Sequence, residues 1–281
     1  MIATRGLRGV SALVRSTHPG PGIAVTVVAA LLGVAVGLEP RRLAVLGVAM
    51  LFDQLSVGLS NDWIDSERDR AVGRTDKPVA RGEISVAVVR AAAWMTAAAA
   101  LLLTLPLGLA ATAAHSVALG SAWAYNAALK NSPISVLPYA LSFGLLPAIA
   151  SLARPAPVLP VWWACAAGAL LGVAAHFANV LPDLDDDRET GIRGLPHRLG
   201  PAASIVITWS VLVLGAGAIA LGSAGSAVSL IGFAVSLAIG VTGLVLAVRR
   251  GVGRWLFRLV ISAAIIDVAM LVLAGSRLLA T

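Results

Sequence analysis

The stretch Asn61-Asp62-Trp63-Ile64-Asp65-Ser66-Glu67-Arg68-Asp69-Arg70-Ala71-Val72-Gly73 closes a mostly apolar run that begins near residue 42. A long apolar segment that ends in carboxylates spaced four apart reads as a membrane helix emerging at an interface. A second stretch repeats the pattern: Asn179-Val180-Leu181-Pro182-Asp183-Leu184-Asp185-Asp186-Asp187-Arg188-Glu189-Thr190-Gly191. Both read Asn, three residues, Asp, three residues, Asp-Arg, two residues, Gly. Eleven of the fourteen carboxylates fall within residues 61–83 and 183–189, so negative charge is concentrated in two matching places.

The rest of the chain sets the class. Of 281 residues, 58% are hydrophobic and 12% charged, and the mean hydropathy is +0.90. Soluble domains carry about 25% charged residues. The composition therefore predicts an all-α, polytopic membrane protein. Nine apolar segments approach the roughly 20 residues needed to cross a bilayer: 21–38, 42–62, 85–104, 107–129, 134–152, 158–181, 201–222, 225–248 and 255–279. Pro40, Pro106, Pro133, the 155–160 stretch, Pro201 and Gly251 mark the breaks between them. Pro182, inside the second cluster, should bend or unwind its helix. Residues 1–19 are basic and have no apolar core with a cleavage site, so they read as a cytoplasmic leader to one domain spanning 1–281.

Charge orients the spans. With the N-terminus inside, seventeen Lys and Arg fall on the inner side and four on the outer: Arg41, Arg42, Arg154 and Arg277. That asymmetry obeys the positive-inside rule. It places the N-terminus and both acidic clusters on the cytoplasmic side of a cell membrane. The net charge of +7 is thus topological, and no basic stripe interleaved with aromatics supports nucleic-acid binding. Cys165 is the one cysteine, which excludes an intrachain disulfide and a cysteine-based zinc site.

Helical spacing puts Asn61, Asp65 and Asp69 along one face, drifting about 40° per step, with Asp62 beside them. Asn179, Asp183 and Asp187 repeat the ladder. Oxygen-only donors suit Mg²⁺ rather than zinc or copper, and Mg²⁺ binds through a few carboxylates and substrate phosphates. Two ladders around a diphosphate are one reading; solvated helix ends are the other. Crowded carboxylates repel unless a cation joins them, which favours the first. Arg74, Lys77, Arg81 and Arg193 either contact phosphate oxygens or serve as positive-inside charge. Tyr125, near Lys130 at the end of its span, offers a ring face to a cation or anchors at the interface. Asn126 is a weaker polar candidate. His176, Asp53 and Asp267 are buried-polar positions that either line a cavity or are satisfied internally. Trp162, Trp163 and Trp255 read as interface anchors.

These residues resemble the UbiA superfamily of intramembrane prenyltransferases. Asn61, Asp62, Asp65 and Asp69 match its N-D-x-x-D-x-x-x-D motif, and Asp183 and Asp187 its D-x-x-x-D motif. Residues 76–85 look like the family's basic-Pro-x-x-x-Gly-x-Ile-Ser stretch, and Tyr125 to Lys130 its Tyr-to-Lys stretch. The resemblance implies nine helices around a central cavity. It implies Mg²⁺ as cofactor, held by Asn61, Asp62, Asp65, Asp69, Asn179, Asp183 and Asp187. An isoprenyl diphosphate would bind there, helped by Arg74, Lys77, Arg81, Lys130 and Arg193. Asp65, Asp183, Tyr125 and Lys130 would be catalytic, passing the prenyl group to a lipophilic acceptor with release of pyrophosphate. A UbiA-type terpene cyclase would use the same site without an acceptor. A cation transporter would instead spread its acids through the membrane depth, whereas here nearly all lie at one face.

Overall fold

The computed structural model describes residues 2–184, 191–250 and 254–280. Among them are eleven α-helices and no strand beyond one isolated bridge, Pro160 to Leu279. The helices are α1 (Ile2–Arg15), α2 (Pro19–Ala35), α3 (Pro40–Ile64), α4 (Ser66–Ala71), α5 (Val86–Thr104), α6 (Leu109–Ala127), α7 (Leu137–Leu152), α8 (Trp162–Val180), α9 (Leu195–Gly222), α10 (Ala227–Arg250) and α11 (Arg254–Leu273). Each of the nine expected spans overlaps one long helix, α2, α3 and α5 to α11. Five of the described helices are long and apolar enough to cross a membrane. The bent pair α1–α2, whose halves meet at 60°, makes a sixth if it counts as one span. α2 and α7 are shorter, at 17 and 16 residues.

The boundaries follow local chemistry. Proline stands in the first turn of α2, α3 and α7, where its missing N–H costs no hydrogen bond. Ser85 caps α5 by accepting from the Val88 N–H at 3.3 Å. The break at Pro106 is a 3₁₀ turn closed by Gly108 at φ 123°. α9 begins six residues before the expected 201. Gly200 turns the chain there at φ 81°, and the helix continues beyond this kink instead of starting at it. Pro182 acts as expected: α8 stops at Val180 and a 3₁₀ turn, Leu181–Asp183, follows.

The helices form a closed circuit of contacts: α2 on α3, α3 on α6, α6 on α7, α7 on α8, α8 on α9, α9 on α11 and α11 back on α2. α5 lies against α3, and α10 against α9 and α11. In α7 and α8 the backbones come close through Gly168 and Gly172, a small-xxx-small pair on α8. A Cβ at Gly172 would lie 2.3 Å from the Tyr139 carbonyl oxygen, and one at Gly168 2.6 Å from that of Phe143.

The main apolar core fills one end of the bundle. It joins Leu32, Leu46, Met50, Leu107, Ile149 and Ile219 with their neighbours. Trp163 belongs to this core at 5% exposure, whereas Trp162 is 78% exposed. The expected anchor role therefore does not fit Trp163, which faces inward one residue further along the helix. Arg42 ties this end together, donating to the Ala153 carbonyl at 2.7 Å and the Leu107 carbonyl at 3.2 Å. Along α3 the burial then changes character, from Leu46 and Met50 to Ser56, Ser60 and Asp62. The polar interior lies at the opposite end.

Candidate active site

The first acidic ladder straddles the α3–α4 junction. Asp65 ends α3 and precedes α4, yet the helical register continues through it. The Asp65 N–H donates to the Asn61 carbonyl at 3.0 Å, and the Asp69 N–H to the Asp65 carbonyl at 2.8 Å. Asn61, Asp65 and Asp69 thereby keep their four-residue spacing, as the sequence predicts. Asp62, Asp65 and Asp69 are 1%, 6% and 3% exposed. Three carboxylates at this depth require compensation.

Compensation comes from three cations. Lys77, from the loop after α4, donates to Asp62 Oδ1 at 2.5 Å and to Asn61 Oδ1 at 3.0 Å. Lys130, in the 3₁₀ turn after α6, pairs with Asp65 Oδ1. Both lysines are buried. Arg68 bridges the ladder from its own helix, 3.0 Å from Asp65 Oδ2 and 3.4 Å from Asp69 Oδ1. Burial pushes the Asp69 carboxyl above its ordinary pKa, with Lys77 opposing and Asp65 reinforcing. Burial also lowers the Lys130 ammonium, against the pull of Asp65.

Neighbouring side chains hold the ladder in place. Asn126 donates to the Val57 carbonyl at 2.9 Å and to Ser60 Oγ at 2.8 Å, binding α6 to α3. Trp123 donates to Ser56 at 2.9 Å and joins Trp63 and Trp94 in an aromatic cluster beside α3. The N-terminal segment also reaches the site. Gly58 lies so close to the α1–α2 break that a Cβ there would stand 2.1 Å from the Thr17 carbonyl. His18, in that break, sits 2.7 Å from Asp62 Oδ1.

The second ladder is described only in part. Asn179 lies exposed on the last turn of α8. Asp183 ends the 3₁₀ turn after α8; its side chain, and Asp187 altogether, lie outside the described residues. Flanking groups bring this region to the first ladder. Tyr139 and Tyr125 meet edge-on, with ring centroids 5.0 Å apart. His176 lies 5.7 Å from Tyr125 and 4.9 Å from Tyr139. His176 Nε2 also hydrogen-bonds Ser135 at 3.0 Å, and that hydroxyl accepts from the Leu195 N–H at 2.8 Å. A Cβ on Gly194 would lie 2.6 Å from the Lys130 carbonyl. The segment beyond the second motif thus packs on the turn that carries the partner of Asp65.

Other candidate residues take partners of their own or lie exposed. Arg74 makes a two-pronged pair with Asp76, at 2.8 Å on each prong, and both are well exposed. Arg81 pairs with Glu83 at 3.0 Å, and Glu83 also meets Arg15. Arg193 is exposed, and its carbonyl accepts from Arg198 at 2.9 Å. Asp53 lies 3.3 Å from His115 and accepts from Gln54 at 2.7 Å. Asp267 accepts from Ser236 at 2.7 Å. Both deep acids therefore have partners inside the bundle. His18, Arg68 and Tyr139 are the members that sequence reasoning passed over. Arg68 had a signal in its three-residue spacing from Asp65; the others had none in the linear pattern.

The donor set suits a hard cation. Its free atoms are oxygens, and Asp62 Oδ2 is buried without a hydrogen-bond partner. Among the described residues no three His, Cys, Asp or Glu side chains by themselves form a metal-holding group. The first ladder thus offers oxygens for a cation whose remaining ligands come from elsewhere.

Known proteins share this arrangement of helices. The chain is 30% identical over 215 residues to digeranylgeranylglyceryl phosphate synthase of Natronomonas pharaonis, covering 73% of this chain and 75% of the relative. A solved structure concerning digeranylgeranylglyceryl phosphate synthase in membranes superposes with a TM-score of 0.75 at 15% identity, covering 96% of this chain and 99% of the other. A UbiA homologue from Archaeoglobus fulgidus bound to GPP and Mg²⁺ gives 0.72 at 15%, covering 94% and 99%. At these identities the structural likeness speaks to the fold. The model of the UbiA prenyltransferase family matches residues 23–258, and the chain belongs to that family.

Proposed function

We propose that this protein is a Mg²⁺-dependent intramembrane prenyltransferase. It ionises an isoprenyl diphosphate and passes the prenyl group to a lipophilic acceptor, aromatic or lipid. The observation that carries this reading is the buried ladder Asp62, Asp65 and Asp69 with Lys77 and Lys130 set into it. Asn61, Asp62, Asp65, Asp69, Asn179, Asp183 and Asp187 are the proposed Mg²⁺ ligands. Bound Mg²⁺ supplies charge neutralisation for the diphosphate. The Natronomonas relative supports a lipid-type acceptor, and the Archaeoglobus homologue with GPP and Mg²⁺ supports the donor and the ion.

The side chains then have separate tasks. Lys77 and Lys130 supply positive charge where the carbon–oxygen bond breaks and its electron pair leaves with pyrophosphate. Arg74, Lys77, Arg81, Lys130 and Arg193 form the proposed basic surround of the diphosphate. Tyr125 presents its ring to the allylic cation, and Tyr139 and His176 back it. Together these rings exclude water that would quench the cation. The acceptor nucleophile bonds to the prenyl carbon and loses its proton. The proposed setting is nine crossings in one domain, with the N-terminus and both motifs cytoplasmic.

The test is a product assay. Protein in nanodiscs is given Mg²⁺, isoprenyl diphosphates of several lengths, and glycerophosphate-lipid and aromatic acceptors, with mass spectrometry of the extract. The expected product is acceptor plus prenyl group minus one hydrogen. A cyclised hydrocarbon formed without acceptor would overturn transfer, and no turnover of any donor would overturn the enzymatic reading.

A further inference from the structure

The α1–α2 break is built into the site. His18 occupies it with φ 51° and ψ 60°, a left-handed conformation unfavourable for a residue with a Cβ. The preceding Thr17 carbonyl rests on Gly58, where no larger residue fits without movement. This docking brings His18 Nε2 to 2.7 Å from Asp62 Oδ1 and 3.0 Å from Lys77 Nζ. Asp62 as a carboxylate only accepts, so the contact requires His18 Nε2 to carry the proton. Lys77 then directs its own protons to Asp62 Oδ1 and Asn61 Oδ1. Three chain segments, separated by 44 and 59 residues from His18, converge on one oxygen. The other oxygen, Oδ2, stays buried and without a hydrogen-bond partner.

We propose that His18 is a positioning residue of the cation–diphosphate site: it and Lys77 hold Asp62 Oδ1, which orients the carboxylate and leaves Oδ2 as the ligand atom. This rests on the metal reading given above. Metal-binding carboxylates are commonly held by such outer hydrogen bonds, and losing one costs about 10- to 100-fold in metal affinity. A backbone residue that tolerates strain to deliver one nitrogen fits that role. The N-terminal segment then forms part of the site through His18 and Thr17.

The experiment measures Mn²⁺ binding by electron paramagnetic resonance on the full chain in nanodiscs without substrate, alongside the KM for isoprenyl diphosphate. Glycine accepts the left-handed backbone freely, so His18→Gly removes the side chain and relieves the strain. His18→Gln restores an amide donor at similar reach. We expect His18→Gly to weaken Mn²⁺ at least about tenfold with unchanged thermal stability, and His18→Gln to recover most of that loss. In an Asp62→Asn background, His18→Gly should cost nothing further. Mn²⁺ affinity unchanged in His18→Gly, no recovery in His18→Gln, or an undiminished loss in the Asp62→Asn background overturns the role of His18 alone. Wild-type protein that binds no Mn²⁺ overturns the metal reading and this inference together.

Discussion

Replacing Gly172 by alanine will push α7 and α8 apart. The new Cβ would lie 2.3 Å from the Tyr139 carbonyl oxygen and 2.8 Å from the Phe143 Cβ. Non-bonded contacts settle near 3.5 Å, so the helices must separate by about 1 Å. The obstacle is backbone, which cannot rotate aside as a side-chain tip would. Overpacking of this kind costs up to about 3 kcal/mol, offset by about 1 kcal/mol of helix propensity gained from glycine to alanine. The net loss is about 2 kcal/mol. Gly120, in α6, is the control: nothing lies within 4 Å of its added Cβ, so Gly120→Ala should gain about 1 kcal/mol. The two variants, chemically the same, then differ by about 3 kcal/mol, or roughly 6–12 °C in melting temperature. Tryptophan fluorescence on heating reads this directly. Since α7 carries Tyr139 and α8 carries His176 and Asn179, a shift of about 1 Å should also lower turnover by as much as about 10²-fold. If Gly172→Ala melts at or above Gly120→Ala, the close-contact reasoning fails.

Further predictions concern charge. Burial lowers the Lys130 pKa, so the alkaline limb of pyrophosphate release should fall below the ordinary lysine value of about 10.4. Lys130→Arg, which stays protonated, should move that limb upward, and an unchanged pH profile would remove Lys130 from catalysis. Asp76 is depressed to about 2, first by its bonds from Arg74. A depressed carboxylate stabilises above its unfolded pKa and loses that contribution as pH falls from about 4 to about 2. Because the pair is exposed, Arg74→Ala should change stability at pH 7 by under about 1 kcal/mol, as chemical denaturation can check. Asp267→Asn keeps an acceptor for Ser236 and removes an intramembrane acid, so pyrophosphate release should persist. A transport path would instead fail at that position, seen as lost cation flux in liposomes.

The fold was legible wherever the signal was repeated. Apolar runs of about 20 residues announce their helices, and proline marks the first turns. The ladder was legible too, because the four-residue spacing survives the α3–α4 junction. Boundaries were less so: Gly200-Pro201 reads as a helix start but is a kink within α9. Contacts between distant segments left no trace in the linear pattern. Asp65 meets Lys130 across 65 residues and His18 meets Asp62 across 44. Nothing in a basic N-terminal stretch distinguishes a histidine that reaches the site from one in a solvated leader. Trp163 was misread because adjacent tryptophans on a helix face different ways, one into the core and one outward. The deep acids Asp53 and Asp267 looked alike in sequence, and only the partners His115, Gln54 and Ser236 account for them.

The most direct test of the central claim is pyrophosphate release from an isoprenyl diphosphate, comparing wild-type protein with Asp65→Asn in nanodiscs. Release should require Mg²⁺, stop with a chelator, and fall by about 10²-fold or more in Asp65→Asn, which removes a proposed ligand and the partner of Lys130. Full release from Asp65→Asn protein that melts like wild type would contradict the account.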